Sequence, residues 1–364
     1  MPTTGPTEIE AASCYVDISH AINGSIDSPA GPVSRIATTL AAQDILHDWH
    51  ARWSIHRDQF RIPTGIYAVG NPGESSPVLV TANYKLTFDK LRIELREMDL
   101  WILVIDTKGV NVWCSAGKGT FCASEIINKI RQTGLAQIVS HRQLILPQLA
   151  APGVAAHTIS KAAGFKVVYG PIKARDIPAF IANGYHASPV MRRVTFDLAE
   201  RIVLTPVELL MSSKLIPIIV IMFFLINLIN NGGLSLSQML KVAGFNSLSY
   251  IIAILIGCVL VPVMLPLIPF RSFAAKGALA GIIWSLIVYR LGDVFMYSSS
   301  WTIMLAHSLL LTAFVSFLAL NFTGSTTYTS FSGTQKETLQ AVPIQLIASL
   351  IGLALLVIGR FAWI

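Results

Sequence analysis

The spacing of apolar and polar positions changes character near Lys214. Before it, short apolar runs alternate with polar stretches; after it, apolar runs lengthen towards twenty residues. In the first part, Pro77–Thr81, Leu100–Asp106, Gln137–Leu146 and Phe165–Tyr169 read as strands. Ser124–Gln132, Val154–Ala163 and Ile177–Ala182 read as helices, with a further helix near Ile36–His50. Pro63–Gly73, rich in Pro, Gly and Asn, reads as turns. Strands alternating with helices predict a Rossmann-like α/β domain with a mainly parallel sheet. Such sheets bind ligands beyond the carboxyl ends of their strands, which points to the loops after Val80, Ile105 and Leu146.

The second part predicts an all-α transmembrane domain of about five helices, near 213–230, 249–269, 277–297, 301–321 and 343–362. Pro262, Pro266 and Pro269 should kink or end the second. The organisation expected is an extension over 1–60, an α/β domain over 61–190, a linker over 191–212 and a membrane domain over 213–364. Arg192, Arg193, Arg201, Lys214, Arg271, Lys276 and Lys336 fall on one side of the spans, against Lys241, Arg360 and Arg290 on the other. The positive-inside rule then puts the first domain in the cytoplasm and the C-terminus outside the inner membrane.

Composition agrees with this division: 53% of the 364 residues are hydrophobic and 13% charged, where soluble chains are nearer a quarter charged. The net charge of +7 comes without a Lys/Arg stripe interleaved with aromatics, so membrane lipid rather than nucleic acid is the expected partner. Residues 1–10 lack a basic segment followed by an apolar one, so no cleavable signal peptide is expected. Cys14, Cys114, Cys122 and Cys258 form neither a CxxC pair nor a zinc spacing, and their scatter suits a reducing compartment.

Candidate chemistry concentrates after the strand Trp101–Ile105, in Asn111-Val112-Trp113-Cys114-Ser115-Ala116-Gly117-Lys118. Asn111 can cap a short helix. Asn111, Cys114 and Gly117 then fall near one face with Lys118 one turn beyond the cysteine. Gly117 removes bulk beside the thiol, while a helix N-terminus and a lysine favour thiolate, a soft metal ligand. The competing reading is a buried structural cysteine, and spacing alone names no metal.

The octapeptide resembles the cap-helix motif of the mercury-methylation corrinoid proteins, the HgcA family, with Ser115 where Ala is commoner. Thr81–Thr87, Leu146–Val154 and Tyr169–Pro178 resemble loops of the corrinoid iron–sulfur proteins, which lack the cysteine. The resemblance covers roughly residues 60–364. It implies a base-off, cobalamin-type corrinoid with Cys114 as lower axial ligand to cobalt, and methyl transfer from cobalt to mercury(II). A folate- or pterin-type compound would be the methyl donor, and a ferredoxin-like iron–sulfur partner, HgcB, would supply electrons. The corrin-binding set it implies comprises Thr81, Asn83, Asn111, Val112, Trp113, Cys114, Ala116, Gly117, Lys118, Gln148, Gly153 and Val154.

Each of the others has a plainer reading. Thr81 and Asn83 suit an Asx or Ser/Thr turn, and Gly153 a helix start, as well as ligand contact. His157, Cys122 and Cys258 read as packed side chains, and Cys14 as a minor candidate for mercury delivery. Arg290, Asp293 and His307 are the ionisable residues near or within the spans; Arg290 and Asp293 can pair at the interface, and His307 can be neutral and bonded to a hydroxyl. Two other functions compete with mercury methylation: a corrinoid methyl carrier of one-carbon metabolism, which needs no cobalt-ligating cysteine, and a transporter with a soluble regulatory domain.

Overall fold

The computed structural model describes residues 15–53, 60–229, 235–295, 300–326 and 328–361. The chain forms two compact units, divided between Val194 and Thr195. Cys14, a candidate from sequence, lies outside the described residues.

The first unit is a seven-stranded sheet in the order β1-β2-β3-β5-β4-β6-β7. Its strands are β1 (Ile22–Ile26), β2 (Val33–Ile36), β3 (Gly65–Val69), β4 (Val78–Ala82), β5 (Leu100–Ile105), β6 (Gln143–Leu146) and β7 (Lys166–Tyr169). The β2–β3, β4–β5, β4–β6 and β6–β7 pairs are parallel; β1–β2 and β3–β5 are antiparallel. Helices α1 (Ala42–Arg52), α2 (Lys85–Glu94), α3 (Val112–Lys118), α4 (Ala123–Gln132), α5 (Leu135–Ile138), α6 (Ala156–Ala163) and α7 (Ile177–Ala182) connect the strands.

Alternation along β5 builds two cores. Trp101, Leu103 and Ile105 pack on one face with Ile126, Ile127 and Ile130 of α4. Leu100, Ile102 and Val104 pack on the other with Phe88 and Leu91 of α2 and Phe180 of α7. Burial on both faces explains the uninterrupted apolar run of this strand. The chain leaves β4 through α2 to β5 on one side, then returns across β4 to β6 on the other. That reversal opens a crevice at the carboxyl ends of β4, β5 and β6, where such sheets take ligands.

Several sequence expectations need correction. The stretch 63–73 is not all turns, because Gly65–Val69 pairs with β5 through five successive residues. The expected helix over 36–50 begins only at Ala42, since Ile36 ends β2 in the core. The expected strand over 137–146 is a helical turn to Ile138 and then β6 from Gln143. The 1–60 extension, where described, supplies the edge strand β1, its neighbour β2 and a helix to the same unit.

The second unit begins with two short helices, α8 (Leu198–Ile202) and α9 (Thr205–Ser213). Long apolar helices follow: α10 (Leu215–Ile229), α11 (Leu236–Leu255), α12 (Phe273–Arg290), α13 (Trp301–Asn321) and α14 (Phe331–Phe361). Five helical segments, counting α8–α10 as one, are long and apolar enough to cross a membrane. The second runs from Leu236 to Val263, starting well before the expected position 249. Its early polar residues hide in the bundle: Asn246 donates to the Phe295 carbonyl at 2.7 Å and Ser247 to the Ala243 carbonyl at 2.7 Å. Before Pro262, which lacks an N–H, the helix widens into a π-helical segment over Ile256–Leu260 and ends at Val263. Lys276 is not a loop charge: it is buried in the first turn of α12 and donates to the carbonyls of Leu265 and Ile268. His307 is buried beside the Tyr250 hydroxyl, 3.1 Å from Nδ1, while Arg290 and Asp293 are exposed.

Candidate functional site

The site is built outward from Asn83, which follows β4 and has no exposed surface. Its Oδ1 accepts from the backbone N–H of Thr107 at 3.0 Å and of Gly109 at 3.1 Å, with the Thr107 hydroxyl at 3.0 Å. Its Nδ2 donates to Asp106 at 3.1 Å. One amide therefore organises the whole loop that follows β5. Thr107–Val110 is a tight turn closed by a 3.2 Å backbone bond, with positive φ at both Lys108 (59°) and Gly109 (70°), the pattern of a type I′ turn. Asp106 holds the non-glycine residue there by accepting from the Lys108 backbone at 2.9 Å and from its ammonium at 2.5 Å. Burial would raise the Asp106 pKa, but these bonds from Lys108 keep it below the ordinary carboxyl value. A Cβ at Gly109 would meet Arg61 Cγ at 2.6 Å.

The turn delivers the chain into α3. Asn111 caps this helix, its side chain accepting from the Cys114 N–H at 2.9 Å. Val112, Ser115 and Ala116 form the buried stripe, and the Ser115 hydroxyl bonds back to the Asn111 carbonyl at 2.6 Å. The helix stops at Gly119, whose φ of 77° suits glycine. With that stripe inward, Trp113, Cys114, Gly117 and Lys118 face outward; Cys114 is half-buried and Gly117 and Lys118 are exposed. A Cβ at Gly117 would meet nothing within 4 Å. The fold itself does not require glycine there, and glycine inside a helix costs about 1 kcal/mol relative to alanine. Open space beside a thiol is room for a group from outside.

Beneath α3 runs the 3-10 segment Gln148–Gly153, after β6. Gly153 touches the cap helix closely: a Cβ would lie 2.8 Å from the Ala116 backbone and 2.6 Å from the Phe121 carbonyl. Gln148 accepts from the Arg192 guanidinium, and Val154, in the core, accepts from the Tyr169 hydroxyl at 2.8 Å. Of the twelve candidates, Trp113, Cys114, Gly117 and Lys118 thus share one accessible face, with Asn111 at its edge. Thr81, Asn83, Val112, Ala116 and Val154 are buried, and Gln148 and Gly153 lie between. His157 is exposed on α6, Cys122 sits 3.1 Å from the Ser124 hydroxyl, and Cys258 bonds Ser212 in the other unit. Among the described residues, no three His, Cys, Asp or Glu side chains converge to hold a metal ion. The donor set at α3 is a single thiol.

Sequence reasoning missed a buried ionic cluster behind the site. Asp44 of α1 accepts from Lys85 at 2.5 Å, from Arg92 at 2.7 Å and bonds His20 at 2.7 Å. Asp89 bonds the same lysine and, at 2.8 Å, the same arginine. Two acids balance two bases at under 3% exposure each, which is what makes buried charge tolerable. Burial pushes the Asp44 pKa up, but the bonds from Lys85, His20 and the Ala41 N–H more than reverse this and hold it far below 3.8. The i,i+4 and i,i+3 spacings of Lys85, Asp89 and Arg92 were readable; Asp44, 41 residues before Lys85, had no local signal.

The family described as "CO dehydrogenase/acetyl-CoA synthase delta subunit" (CdhD) matches residues 36–181, a stretch that contains every one of the twelve candidates. Among curated proteins, the chain is 34% identical over 127 residues to the acetyl-CoA decarbonylase/synthase complex subunit gamma of Methanopyrus kandleri, covering 34% of this chain and 27% of that one. It is 35% identical over 126 residues to the corresponding subunit of Methanocaldococcus jannaschii, covering 34% and 25%. With a gamma 2 subunit of Methanosarcina thermophila it shares 29% over 158 residues, covering 41% and 33%. The chain spans a quarter to a third of the length of these relatives.

Proposed function

We propose that this chain is a membrane-anchored corrinoid protein that carries and transfers a methyl group, with the Cys114 thiolate as axial ligand to cobalt. The observation that carries the proposal is the outward face of α3, where a half-buried thiol stands beside the open space at Gly117. The similarity to acetyl-CoA decarbonylase/synthase gamma subunits supports one-carbon chemistry in general. It favours a methyl carrier and says nothing of mercury.

The residues fit a flat ligand lying on α3. When bound, the corrinoid supplies a cobalt centre that takes up and releases the methyl group; the protein orients and tunes it. Cys114 offers a soft donor from below, Gly117 leaves clearance, and Trp113 and Lys118 flank the thiol. Asn111 fixes the helix start. Asn83 and Gly153 hold α3 in position from beneath.

Mercury(II) is the acceptor favoured by a second set of observations. The resemblance of Asn111–Lys118 to the mercury-methylation proteins includes the cysteine, and five apolar helices follow the matched region. A ferredoxin-like electron donor and a folate-type methyl donor belong to the same reading.

The test uses the full chain loaded with a corrinoid, wild type against Cys114→Ala. A visible spectrum with a thiolate-dependent band that disappears in the variant is the expected result, together with loss of methylmercury formation. A spectrum indifferent to the substitution would remove the axial role and leave a carrier. Failure of both proteins to take up corrinoid would overturn the proposal.

A further inference from the structure

Helix α1 is amphipathic the wrong way round for a soluble domain. Its inward side is Asp44 and Ala51, at 1% and 2% exposure, held by the ionic cluster with Lys85 and Arg92. Its outward side is Ile45, Leu46 and Trp49, continued by Trp53 at the C-terminal cap, at 49%, 54%, 58% and 38% exposure. At helical spacing these four fall within an arc of about 100° centred opposite Asp44. The interior holds the charges and the surface holds two tryptophans and two aliphatics. Contiguous apolar surface of this kind marks an interaction site.

We infer that α1 is an interfacial helix that beds its Ile45–Leu46–Trp49–Trp53 face into the headgroup region of a phospholipid bilayer. The inference rests on the reading that the five apolar helices span that bilayer. Two observations favour lipid over a protein partner. Tryptophan is the side chain that settles at the membrane–water boundary, with an apolar body and an N–H that stays wet. His50 and Arg52 flank the apolar face, as basic residues flank helices that lie in an interface.

The experiment uses the full chain in nanodiscs containing a phosphatidylcholine with a photoreactive diazirine in its upper acyl chain. After irradiation, lipid adducts are mapped by peptide mass spectrometry. Adducts on Ala42–Trp53 as well as on the apolar helices, exposed Trp301 among them, are the expected result. They should fall roughly tenfold or more in an Ile45→Gln/Trp49→Gln variant, with the corrinoid spectrum unchanged. Adducts on the apolar helices alone would overturn the inference while leaving the spans intact. Adducts on neither would instead overturn the membrane reading itself. Hydroxyl-radical footprinting of the same nanodiscs separates the remaining case: Trp49 shielded from water without lipid adducts is covered by protein, which also overturns the inference.

Discussion

At the scale of single residues, the candidate site depends on groups that never reach its surface. Asn83 is the clearest case. Replacing it by alanine leaves the Thr107 and Gly109 N–H groups without their acceptor, at a cost of about 1–3 kcal/mol for the buried Thr107 group alone. Asn83→Ala is expected to lower the unfolding temperature and weaken corrinoid uptake, although its side chain is sealed from solvent. Thermal unfolding and equilibrium dialysis would check this; uptake equal to wild type would show that the turn holds itself. Gly153→Ala adds one methyl where the Ala116 backbone is 2.8 Å away. Overpacking of this kind costs about 1–3 kcal/mol. It is expected to displace α3 and reduce corrinoid affinity, whereas Gly117→Ala, with empty space before it, should leave the apo protein's stability unchanged or raised. The cap by Asn111 was legible because donor and acceptor are three residues apart. The function of Asn83 as a hub was not, because its partners lie 23 to 26 residues away across two strands.

At the scale of elements, legibility followed continuity of pattern. Strand β5, buried on both faces, and helix α7 were visible as unbroken runs. Strand β3 was hidden behind flanking Pro and Gly, and its pairing with β5 and β2 makes it a strand. The second span was expected to start only at 249 because Asn246 and Ser247 look polar in sequence, yet both are buried among other helices. Helix α1 carries the ionic cluster, and its acid response follows from Asp44. The pKa of Asp44 is lowered on folding, so its stabilisation is complete above the ordinary value of 3.8 and is lost as pH falls towards the folded value. Amide exchange of α1 and α2 in the full chain should therefore quicken below about pH 4 beyond the intrinsic change. An Asp44→Asn variant should lack that extra acceleration and be less protected at pH 7. Equal slopes for both proteins would place the acid sensitivity elsewhere.

At the scale of the whole molecule, the apolar pattern changes near Lys214, while the two compact units divide between Val194 and Thr195. A two-sided sheet needs short runs, while a membrane helix needs about twenty apolar residues. The acceptor of the proposed methyl transfer was the least legible feature. The matched region stops at residue 181, and the chain covers a quarter to a third of its relatives.

The ionic cluster has a consequence for how the protein is made. Asp44 leaves the ribosome with only His20 of its partners already made and waits for Lys85 and Arg92, which follow 41 and 48 residues later. The sheet closes only when β7 has been synthesised, and the first long apolar helix comes later still. Domains generally fold as units during synthesis, N-terminal first. The first unit is thus ready to close while the second is still being made. Its closed sheet then keeps Asp44 matched inside while the apolar helices emerge.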